Sequence, residues 1–111
     1  MPEFSPQQMK TVERLFAAGF RPIAIALYEN ALCMRRGECA AVLTPVPGGG
    51  LRLLAPPSYL VAGNISVRLK RGKGEVFVWK KNEVEATAER LAELATFRRD
   101  LAEILEEAPA Q

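Results

Sequence analysis

The chain has 111 residues, 49% hydrophobic and 25% charged, with a formal net charge of +2 and no histidine. Those are the proportions of one globular domain, able to bury about two-thirds of the surface its unfolded chain exposes without a metal or disulfide staple. No apolar run approaches the about 20 residues a membrane helix needs, and without histidine the commonest general base and metal ligand is missing.

The small net charge hides an uneven distribution. Residues 1–82 carry 12 basic and 5 acidic side chains, a net +7, whereas residues 83–111 carry 3 and 8, a net −5. The expectation is a basic body followed by an acidic C-terminal segment. Met1-Pro2-Glu3-Phe4 has neither a basic nor an apolar stretch of the secretory kind, so a cytoplasmic location is expected.

Ser5-Pro6-Gln7-Gln8 is a helix start, with Ser5 as cap, Pro6 at the first helical position and Gln8 completing a capping box. Met9, Val12, Leu15 and Phe16 follow at helical spacing, and Gly19 offers a stop after which Phe20 folds back. The first helix is placed at 6–18.

After Pro22 the period changes. Ile23, Ile25 and Leu27 alternate with Ala24, Ala26 and Tyr28, which favours a hairpin turning at Glu29-Asn30 over a helix across 22–36. That hairpin would set Leu27 beside Leu32 and Ile25 beside Met34. Arg36-Gly37 is the next turn, and Cys39, Ala41 and Leu43 the next strand. The small residues Ala24, Ala26, Ala31, Cys33 and Ala40 imply that both faces of this sheet are at least partly covered.

Pro45-Val46-Pro47-Gly48-Gly49-Gly50 reads as a flexible hairpin loop, lacking the Lys-Ser/Thr of a phosphate-binding loop and the helix that should follow one. Leu51 to Leu54 is a short strand broken by Pro56-Pro57. Tyr59 to Ala62 is a further strand or an edge-covering loop, and Gly63-Asn64 a turn.

Residues 65–79 are the clearest hairpin. A turn at Gly72-Lys73 sets Leu69 opposite Val76 and Val67 opposite Val78, which is taken as the core face. The other face pairs Arg68 with Phe77, Ser66 with Trp79 and Lys70 with Glu75. The chain then turns helical, with Thr87 or Asn82 as cap. Leu91, Leu94, Ala95, Leu101, Ile104 and Leu105 form a broad stripe with Phe97 at its margin.

The fold expected is α+β in one domain, 1–111. A helix at 6–18 precedes a β meander over 22–80 and a helix at 87–107 packed across it, with Pro109-Ala110-Gln111 frayed. The sheet is expected to have five or six mostly antiparallel strands and to be curved or to form a partly open barrel.

No catalytic, cofactor or metal constellation emerges. Cys33 and Cys39 are spaced C-x5-C, which fits no zinc or redox motif and reads as two small, partly buried thiols. The carboxylates read as solvated helix faces. The chain is therefore expected to be non-enzymatic, with no cofactor or metal.

The one unusual feature is the candidate binding surface Arg68, Lys70, Phe77, Trp79, Lys80 and Lys81. Between Asn64 and Asn82 there are six basic residues and one acid. Basic side chains track phosphates and strand aromatics stack on unpaired bases, so single-stranded nucleic acid is one reading. Burying an aromatic is worth roughly 3 kcal/mol, which favours covering Phe77 and Trp79. The cover is then the acidic helix, another protein, or a second copy of the chain. Protein contact or homodimerisation is preferred, nucleic acid is the alternative, and no membrane role is expected.

Overall fold

The structure, a computed structural model, describes residues 4–105. Helix α1 spans Pro6–Ala17 and opens with the expected capping box. Gln8 N–H donates to Ser5 Oγ at 3.2 Å, and Ser5 N–H donates to Gln8 Oε1 at 2.8 Å. At its far end Gly19 takes φ +93°, and Phe20 N–H reaches back to the Leu15 carbonyl at 3.0 Å. That return bond drives Phe20 into the core.

Strand β1, Arg21–Pro22, pairs with β2, Leu32–Arg36. The hairpin expected over the intervening residues does not form, nor does the competing helix. Residues Ala26–Tyr28 make one 3-10 turn, and Leu27 is 65% exposed rather than paired with Leu32. The segment instead folds over the back of the sheet. Ile25 is buried there with Cys33, Ala40, Val42 and Leu60. Of the small residues expected on a covered second face, Cys33 and Ala40 are buried and Ala31 packs against them, whereas Ala24 and Ala26 are exposed and lie in no strand; the cover is a single turn of chain.

Strand β3, Cys39–Pro45, pairs with β2 and with β4, Leu51–Val61. Strand β4 runs through Pro56-Pro57, where a break was expected. Its register slips twice, from Ala40↔Ser58 to Val42↔Ala55 and then to Leu43↔Leu53. Each slip gives β4 one extra residue, and the two prolines sit in the first bulge, where their missing N–H groups break no ladder bond. The loop before β4 is pinned rather than free. Gln8 Nε2 donates to the carbonyls of Val46, Gly49 and Gly50 at 3.1, 3.2 and 3.3 Å.

A tight turn at Ala62-Gly63, both at positive φ, leads to β5, Asn64–Ile65. The first sheet is antiparallel, in the order β1-β2-β3-β4-β5. Ser66 then redirects the chain into a second antiparallel sheet of β6, Val67–Arg71, β7, Gly74–Trp79, and β8, Asn82–Glu85. Strand β8 occupies residues expected to lead into the helix. Lys80, at φ +55°, and Lys81 form its turn, so Asn82-x-x-Glu85 is a strand and not a cap. The two sheets stay open, and the barrel alternative is corrected to a two-sheet α+β fold.

Helix α2, Ala88–Leu105, is capped by Thr87, whose Oγ1 accepts from Arg90 N–H at 3.2 Å. The expected extension to residue 107 and the frayed Pro109-Ala110-Gln111 lie outside the described residues. Phe97 is at the centre of the buried stripe, with Leu94 and Leu101, and not at its margin; Ala95 is exposed. The main core joins these to Leu15, Phe20, Met34, Leu43, Tyr59 and Phe77. Among the described residues no helix is long and apolar enough to cross a membrane.

Candidate interaction surface

The β6–β7 register is the expected one: Val67↔Val78, Arg68↔Phe77, Leu69↔Val76 and Lys70↔Glu75. Its faces are exchanged. Phe77 is 0% exposed and stacks on Tyr59 of β4, ring centroids 5.0 Å apart at 14°. Val67 and Leu69, assigned to the core, are 59% and 45% exposed, and Val76 and Val78 are half-buried. The two sheets meet through the aromatic face, because two stacked rings bury more area than a row of valines offers.

Each candidate residue thus has a definite place. Phe77 is core and is removed from any surface. Trp79 is half-buried against that core, with the Lys80 ammonium 5.5 Å from its ring centroid. Arg68 shares the Phe77 face and pairs with Glu75 at 3.1 Å. Lys70, Lys80 and Lys81 are exposed. Among the described residues no acid of α2 pairs with this hairpin. Arg71 pairs with Glu83 of β8, while Asp100 on α2 pairs with Arg36 at 2.8 Å and Glu93 accepts from the Glu38 amide at 3.1 Å. The hydrogen bond from Arg36 holds the Asp100 carboxyl below its ordinary range.

The exposed face of the second sheet is therefore aliphatic. Val67, Leu69, Val76 and Val78 form two cross-strand rows that continue into Glu83 and Glu85 on β8. Arg71 stands at the end of β6 on the same face, opposite Gly74. Nothing local in the sequence marks this face as the outer one, since both faces of β7 are apolar.

Beside the second sheet lies a cleft of about 420 Å³. Pro57, Ile65, Leu94 and Trp79 are among its walls, and Ser58 and Ser66 line it too. The serine hydroxyls satisfy each other at 3.1 Å, and Ser66 Oγ also donates to the Tyr59 carbonyl at 2.6 Å. Its charged lining residues are Arg68 and Arg98, with no acid. Arg98 escaped the sequence reading because it sits 19 residues from Trp79, on another element.

Cys33 and Cys39 are free and buried on opposite faces of the first sheet. Among the described residues no group of three His, Cys, Asp or Glu side chains is placed to hold a metal ion. Compared with protein-family models, curated proteins and solved structures, the chain matches none.

Proposed function

We propose that the chain is a non-enzymatic contact domain, and that its outer β6–β7–β8 face meets a second copy of itself. The observation that carries this reading is the exposure of Val67 and Leu69 beside Val76 and Val78. Such a row of aliphatics on one face of a small sheet favours an apolar partner surface. The face also bears both signs of charge, Arg71 on β6 and Glu83 and Glu85 on β8. A two-fold axis parallel to the strands lays β6 over the partner's β8 and suits a self-complementary interface.

Sedimentation equilibrium from micromolar to near-millimolar protein tests it. The wild type should dimerise, and Val67→Thr with Leu69→Thr should remain monomeric with an unchanged circular dichroism spectrum. A wild type that is monomeric throughout, or a variant that dimerises equally well, contradicts it.

A second reading, single-stranded nucleic acid, is supported by Lys70, Lys73, Lys80 and Lys81, which form no ion pair among the described residues. Phe77 lends it no stacking surface. It requires oligothymidylate binding that weakens steeply with salt and is lost in Lys80→Glu with Lys81→Glu.

A further inference from the structure

The cleft between the two sheets and α2 has a chemistry of its own, although Val67 of the outer face also stands at its wall. Its walls are mostly apolar, Ser58, Ser66 and Asn64 among them are already hydrogen-bonded, and its charges are all positive. Arg68 is engaged by Glu75, whereas Arg98 has no hydrogen-bond or ion-pair partner among the described residues. At about 420 Å³ it falls within the range of small-molecule sites, in which an apolar lining supplies affinity and a few polar groups fix orientation.

We propose that this cleft binds a small organic carboxylate, its hydrocarbon body against Trp79, Ile65, Leu94 and Pro57 and its carboxylate on Arg98, with Arg68 adding positive potential. A neutral apolar molecule would leave the arginines unused. A dianion without a hydrocarbon body would leave the walls wet. A guanidinium–carboxylate contact is short, charge-assisted and stronger than a neutral hydrogen bond. Because Val67 belongs to both surfaces, binding is measured at dilutions that keep the chain monomeric, so that failure of this site and failure of the proposed dimer are told apart.

Trp79 is the only tryptophan and lines the cleft, so its emission reports occupancy directly. Octanoate, below its micelle concentration, should change that emission saturably. Octan-1-ol, of equal chain length and no charge, should bind at least about tenfold more weakly, as should octanoate to Arg98→Gln. Arg98 is exposed, so Arg98→Gln should unfold at the wild-type urea midpoint. Amide and methyl shifts on octanoate addition should centre on Ile65 and Leu94. The proposal is overturned if octanoate gives no saturable change, if the shifts centre elsewhere, or if the alcohol and Arg98→Gln bind as well as the reference pair.

Discussion

Cys39 is 0% exposed, and burial, aided by the nearby Glu93 carboxylate, pushes its thiol up from 9.0 to about 12. The folded chain therefore holds this proton more tightly than the unfolded one. The resulting stability is complete below pH 9.0 and is lost as pH rises towards about 12. Unfolding measured at successive pH values above 9 should show wild-type stability falling more steeply than that of Cys39→Ala. Equal slopes would contradict the placement of this thiol. At this scale the sequence was readable where chemistry is local. Ser5 and Gln8 cap as their types require, Thr87 does the same, and the two cysteines, expected to be partly buried, are buried and free. Phe97 was misplaced because its burial is set by Phe20, at 5.2 Å between ring centroids, and by Arg36 above both rings.

At the scale of elements, turns and register were legible and facing was not. Gly72-Lys73 fixes which residues of β6 and β7 stand opposite one another, because a two-residue turn leaves one register. Which face turns inward depends on Tyr59, 18 residues before Phe77 on another strand, and no periodicity within the hairpin encodes that contact. Strand β8 was hidden for a related reason. Its alternation of Glu83, Val84 and Glu85 is a polar edge strand that also imitates the acidic start of a helix. Gln8 shows one side chain joining two elements, capping α1 while holding the glycine loop ahead of β4. Gln8→Ala should cost about 2 kcal/mol in urea unfolding, from lost capping and unsatisfied carbonyls. Gln8→Glu should cost more, since it sets a carboxylate against three carbonyl oxygens. A loss within about 0.5 kcal/mol, the size of an ordinary surface substitution, would show the loop to be free.

At the scale of the molecule, the fold extends 47 × 28 × 24 Å, and its two sheets are joined through Ser66, whose N–H and hydroxyl both bond the Tyr59 carbonyl. The first sheet carries α2, against which α1 packs, and supplies most of the strand residues of the core. The second adds Phe77 to that core and presents its aliphatic face outwards, and the proposed contact surface rests on this exchange of faces. Equilibrium urea unfolding of Phe77→Ala and Leu69→Ala, at a dilution that keeps the chain monomeric, tests it most directly. A fully buried phenylalanine should cost about 3–5 kcal/mol and a half-exposed leucine about 1 kcal/mol or less. The reverse order, or equal losses, would show that the aliphatic row is the core face after all.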